Sequence, residues 1–184
     1  MARHKSIPDE QVLDRLFDVI VETGPDGLTF AKGAATTGLS PASLVQRYGN
    51  RERLVEAILL HAWDKLDAET AVADAEEAVT PQGAVDLLMR LMPPESAERD
   101  ATDGLLLLRE DIRNPKLRAR GAAWGHAVAE ALGRRLSDDG EKGRRLGWQM
   151  AAVWQGAHIW WAFTRTEPAE RAIRRMLVEW LERL

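Results

Sequence analysis

Apolar side chains recur at Ile173, Met176, Leu177, Trp180, Leu181 and Leu184, a spacing of i, i+3, i+4, i+7, i+8 and i+11. Only a helix of 3.6 residues per turn gathers that spacing onto one side. Most of the chain follows the same period, and no alternating β-branched run or Asn-Gly hairpin signal interrupts it. An all-α chain of about nine helices is therefore predicted. Ser6 is expected to cap the first helix, with Pro8 in its first turn, Val12, Leu16, Phe17, Val19 and Ile20 on its apolar face, and Gly24, Pro25 and Gly27 at its end. Further helices are expected from about Pro81 to Met92, through Leu105, Leu108 and Ile112, from Pro115 to Leu136, and from about Glu141 to Thr164. The Glu141 to Thr164 segment is apolar on nearly every face, which implies burial on several sides. The final stripe has no later segment to cover it, so its expected partner is the preceding helix or the same helix pair of a second chain.

The chain of 184 residues contains no cysteine, which removes disulfides and thiolate metal sites and suits a reducing, cytoplasmic setting. The N-terminus lacks a secretory pattern, and the apolar run from Trp148 to Phe163 is interrupted by Gln149, Gln155 and His158. No membrane partner is expected. The net charge of −4 is unevenly spread: residues 55–184 hold 18 of the 25 bases and 22 of the 29 acids. Between Leu28 and Leu54 stand Lys32, Arg47, Arg51 and Arg53 against the single acid Glu52. Charge acts where it faces a partner, so this locally basic stretch remains compatible with nucleic acid.

That stretch reads "TFAKGAATTGLSPASLVQRYGNRERL". Thr29 can cap a short helix running to about Thr36, and Gly38 supplies the positive φ of a tight turn. Ser40 and Pro41 form a strong start for a third helix ending near Tyr48, after which Gly49 stops it and Asn50 can cap a long fourth. A helix-turn-helix needs a small residue where its helices cross, a glycine at the turn and an apolar residue on the inner face of the second helix; Ala34, Gly38 and Leu44 meet these needs. An ordinary helical hairpin would use similar residues. Ser43, Gln46 and Arg47 are expected to project outward, where Gln and Arg can contact adenine and guanine edges. Thr29 and Arg51 are placed to grip phosphates.

On these residues the chain resembles the tetracycline-repressor-like (TetR) transcriptional regulators. The resemblance covers roughly the first third of the chain and runs through Gly24, Leu28, Thr29, Ala34, Gly38, Ser40, Leu44, Tyr48 in the usual Phe position, Arg51 in the usual Lys position and Leu54. Gly33 stands where the family has Ile or Val, Thr37 where it has Ala, and Val45 where it has Tyr. The resemblance implies a homodimeric repressor, joined through its last two helices, that binds a palindromic double-stranded operator and is released by a small-molecule inducer. It places a helix-turn-helix domain in residues 1–50 and a ligand-binding and dimerisation domain in residues 51–184. Thr29, Lys32, Ser40, Ser43, Val45, Gln46, Arg47, Tyr48 and Arg51 become the candidate DNA contacts.

The implied inducer cavity falls among the later helices. Trp63, Met89, Met92, Leu108, Ile112, Trp124, Met150, Trp154 and Trp161 would line it for a hydrophobic or aromatic ligand, with His158 as a polar contact. Aromatics at helical spacing are equally suited to filling a core. Trp160 and Trp180 are expected at the dimer interface. No metal-ligand spacing, nucleophile elbow, P-loop or nucleotide fingerprint is present, so no metal, cofactor or enzymatic role is predicted. The alternative is a helical ligand-binding or interaction protein of the same fold with weak or lost DNA binding, which the residues at 33 and 45 would permit.

Overall fold

The computed structural model describes residues 7–92 and 107–184. Among them every regular element is helical: α1 Asp9–Thr23, a 3-10 turn Pro25–Gly27, α2 Phe30–Thr37, α3 Pro41–Tyr48, α4 Arg51–Glu76 and α5 Pro81–Arg90. Then follow α6 over residues 107–113, α7 Pro115–Leu136, α8 Gly140–Thr164 and α9 Ala169–Leu181. Two compact units emerge, one of residues 7–65 with 107–118, the other of 66–92 with 119–184. The division falls within α4 and α7.

The first unit is built around aliphatic side chains. Val12, Leu16 and Ile20 of α1 meet Leu28, Leu44, Leu54, Ile58 and Leu117, all essentially without solvent exposure. Residues 54–59 and Leu117 thus complete the core of the three N-terminal helices. α1 differs from expectation at its start: it begins at Asp9 with Pro8 in the cap position and no side-chain cap. The expected cap, Ser6, lies outside the described residues, as does Leu105 of the helix expected through Leu108 and Ile112.

The second unit packs α5, α8 and α9 around Leu87, Leu88, Val128, Leu132, Met150, Ile173 and Leu177. α7 and α8 approach backbone to backbone. A Cβ on Gly147 would sit 2.0 Å from the Ala129 carbonyl oxygen, and one on Gly133 would sit 2.7 Å from the Gly143 carbonyl. Absent side chains make that crossing possible. The turn into α5 is similarly tight, since a Cβ on Gly83 would collide with the Ala78 carbonyl. Thr80 caps α5 by accepting the Gly83 N–H at 3.1 Å. Nearby, Arg135 is buried and finishes α4: it donates to the carbonyls of Asp74, Glu77 and Ala78 and to the Asp74 carboxylate at 2.6 to 3.1 Å. Carbonyls at the end of a helix lack intrahelical donors, and Arg135 supplies donors there.

Candidate nucleic-acid interface

The α2–α3 hairpin is set by its own caps. Thr29 Oγ1 accepts the Lys32 N–H at 3.1 Å, and Ser40 Oγ accepts the Ser43 N–H at the same distance. Between them Gly38 takes φ +75, the left-handed value that glycine adopts without a Cβ penalty. Gly49 ends α3 at φ +82, and Asn50 Oδ1 accepts the Arg53 N–H at 2.9 Å to open α4.

Where α2 crosses the core, the enclosed small residue is Gly33 rather than Ala34. Ala34 is half-buried at the margin of the core. A Cβ on Gly33 would stand 3.0 Å from Leu16 and 3.2 Å from Leu44 side-chain carbons, so those leucines fill the volume that a larger residue would take. The neighbouring departure from the family pattern is also accommodated. Thr37 is fully buried, with its hydroxyl donating to the Gly33 carbonyl at 2.7 Å and accepting the Leu39 N–H at 3.3 Å. Both capacities of the hydroxyl are used, which is what lets it be buried.

The predicted contact residues divide by how they are held. Thr29, Lys32, Ser40, Val45, Gln46 and Arg47 are exposed, while Ser43, Tyr48 and Arg51 are half-buried. Ser43 and Ser40 hydroxyls lie 2.8 Å apart. Arg51 donates through Nε to the Leu28 carbonyl at 2.9 Å and through Nη2 to the Pro25 carbonyl, with Asp26 at 3.4 Å. It therefore fixes the chain that leads into α2. Lys32 Nζ reaches the Gly27 carbonyl at 3.4 Å. Arg47 turns back toward α1, where Nη1 lies 3.3 Å from the Ile7 carbonyl and 3.4 Å from Asp9 Oδ1. The Tyr48 hydroxyl donates to the same Asp9 oxygen at 2.8 Å. Burial, then the bond to Asp9, pushes the Tyr48 phenol far above its usual range, so it stays a donor. Asp9 was not anticipated in this role; it lies 38 residues from Arg47, beyond the reach of any local pattern.

The residues predicted as cavity lining are distributed over both units. Trp63, Leu108 and Ile112 belong to the first. There the Trp63 indole donates to Asp111 Oδ1 at 3.0 Å, and burial raises the Asp111 carboxyl above the usual range, with the Trp63 bond opposing that rise. Leu108 and Ile112 are 46% and 57% exposed because α6 turns Leu107 toward the core instead. The second unit brings the others together. Met89, Met150 and Trp154 are buried in its core, and Met92, Trp124 and Trp161 pack against it. Trp154 lies 6.5 Å from Trp124 and 5.3 Å from His158, centroid to centroid. His158 Nδ1 is 2.9 Å from the Trp154 carbonyl, which can only accept, so Nδ1 carries the proton. Trp124 donates to Thr70 Oγ1 and Trp161 to the Glu167 carbonyl, each at 2.9 Å. Trp154 is 3% exposed, and its Nε1 has no acceptor among the described residues.

Among the described residues no group of three or more His, Cys, Asp or Glu side chains is placed to hold a metal ion, and no helix is long and apolar enough to cross a membrane.

No family model matches the chain, and no curated protein matches it. Solved structures do, over nearly their whole length. A transcriptional regulator from Rhodococcus sp. Rha1 superposes with a TM-score of 0.76 at 18% identity, covering 95% of this chain and 97% of that one. A structure from Saccharomonospora viridis, described as a transcriptional regulator in complex with choline, gives 0.74 at 15% identity, covering 94% of each chain. A TetR transcriptional regulator from Legionella pneumophila gives 0.69 at 14% identity, covering 96% and 98%. The fold of this chain is that of the TetR transcriptional regulators.

Proposed function

We propose that the chain is a ligand-responsive, DNA-binding transcriptional regulator of the tetracycline-repressor type, acting as a homodimeric repressor in the cytoplasm. The observation that carries the reading is the α2–α3 hairpin. Both of its helices have side-chain caps, its turn glycine is left-handed, and residues 29–48 contain Lys32 and Arg47 but no carboxylate. The first 50 residues are assigned to DNA and residues 51–184 to ligand and dimer. Two α3 helices of a dimer would enter successive major grooves about 34 Å apart on a palindromic operator.

Dimerisation is assigned to α8 and α9. Trp160 and Phe163 are 65% and 78% exposed with ring centroids 6.0 Å apart, Ile159 is 42% exposed, and Trp180 is half-buried. Large apolar groups so exposed along α8 suit a second copy of the same surface.

The inducer is assigned to the Trp124, Trp154 and His158 cluster. A hydrophobic or aromatic molecule with one accepting oxygen could satisfy the Trp154 N–H. A quaternary ammonium alcohol such as the choline of the S. viridis structure also has the required chemistry, because cations lie favourably over indole faces. Such a ligand lowers operator affinity only by its differential affinity for the two states of the protein.

The rival, a protein of the same fold without DNA binding, draws support from Arg47 and Arg51, which are both engaged with acceptors of their own chain. Footprinting of the folded dimer on the DNA upstream of its own gene separates the two. Protection at low salt is expected, and no protection there would leave only the rival.

A further inference from the structure

We infer that α3 reads A·T base pairs through thymine methyl groups, and that Arg47 is a positioning residue rather than the base reader. The inference rests on the DNA-reading function proposed above and specifies the kind of half-site that function would take.

Three observations converge. The only cation of α3, Arg47, is drawn back to the start of α1 by the Ile7 carbonyl and Asp9, and Asp9 also holds the adjacent Tyr48 hydroxyl. Arg47 also lies in the last turn of α3, whereas helix-turn-helix proteins contact bases from the N-terminal part of the second helix. The residues that α3 exposes ahead of Arg47 are Pro41, Ala42, Val45 and Gln46, and none carries a charge. Val45 is 44% exposed, while Leu44 behind it is fully buried.

Chemistry then restricts the bases. Recognition of guanine through O6 and N7 calls for Arg or Lys. Ala and Val methyls instead meet the C5 methyl of thymine, and the Gln46 amide can pair with N6 and N7 of adenine. The usual family tyrosine at position 45 would have presented a hydroxyl; here that place is a branched hydrocarbon. Lys32 and the capped N-termini of α2 and α3 remain to meet phosphates, which fix register without reading sequence.

The test is selection of duplexes from a random library by the full-length dimer, followed by replacement of each selected thymine with deoxyuracil. Pairing is kept and only the methyl is lost. Half-sites with thymine or adenine facing α3 are expected, with an affinity loss of about fourfold for each contacted methyl removed. Val45→Ala, at an exposed position, should shrink the thymine-over-uracil preference. Arg47→Ala should shift affinity for all sequences alike and leave the selected pattern in place. A selected guanine whose preference disappears in Arg47→Ala would overturn the inference. Failure to retain any duplex at low salt would be a different failure, overturning the DNA-reading function itself.

Discussion

The two compact units use the same residue types to opposite ends. In the first, the Trp63 indole has an acceptor in Asp111, while the exposed Arg47 clamps the start of α1 and the half-buried Arg51 clamps the chain leading into α2. In the second, Arg135 is buried among carbonyls, and the Trp154 indole is buried with no acceptor among the described residues. A working surface whose polar groups are already paired is preset in shape, so its selectivity falls to the side chains left facing outward. An interior donor without an acceptor among the described residues leaves a hydrogen-bonding capacity unused.

The largest effect expected on this contrast comes from Arg135→Ala. Five hydrogen bonds are lost and Asp74 loses its buried partner, so urea denaturation should show a loss of about 3–5 kcal/mol. A loss below about 1 kcal/mol would mean that Arg135 does not hold the end of α4. Gly33→Ile comes next. It restores the usual family residue but forces a branched side chain against Leu16 and Leu44, and should destabilise by about 1–3 kcal/mol. Gly33→Ala is expected to stay within about 1 kcal/mol of the parent, because the helix gain of about that size opposes a tight contact that the leucine ends can relieve. Equal tolerance of both would show that the α2 crossing is loosely packed.

Arg51→Ala should cost about 1–2 kcal/mol in the same assay, since its hydrogen bonds are charge-assisted but partly solvated. It should also weaken binding to all DNA sequences together, by loosening the approach to α2. The smallest effect lies in acid. Hydrogen bonds from Lys65 and His61 lower the Asp14 carboxyl, and those from Asn114 and Lys116 lower Glu56. Their stabilisation is present above the unfolded carboxylate range and is lost as pH falls through the depressed folded values. Asp111 has the opposite sign: its folded value is raised by burial, so protonating it favours the fold. Melting temperature measured downward from neutral pH should therefore hold or rise slightly before it falls, and Asp111→Asn should remove the early gain. An unchanged early limb in Asp111→Asn would assign that gain elsewhere.

What could be read from the residues was mostly local. Thr29, Gly38, Ser40, Pro41, Gly49 and Asn50 act within four residues of themselves, through caps and φ values that depend on residue type, and each occupies the place expected. Thr80 was equally local but stood beside an acidic, alanine-rich stretch that hid its capping role. The unread part was set by tertiary distance. Asp9 meets Arg47 and Tyr48 from 38 and 39 residues away, and Arg135 meets Asp74 from 61. Neither pairing leaves a periodic trace. Gly33 shows a third case: helix propensity marks it only as a weak point, and its value as a space for Leu16 and Leu44 appears once the helices are packed.

The central claim is that the α2–α3 hairpin binds duplex DNA in a sequence-dependent way. Fluorescence anisotropy of the folded protein with its selected duplex, titrated against salt, tests it most directly. Log affinity should fall linearly with log salt, with a slope of about 0.9 for each phosphate contacted, and the selected duplex should outbind a scrambled one throughout. Equal affinity for the two duplexes, or binding indifferent to salt, would contradict it.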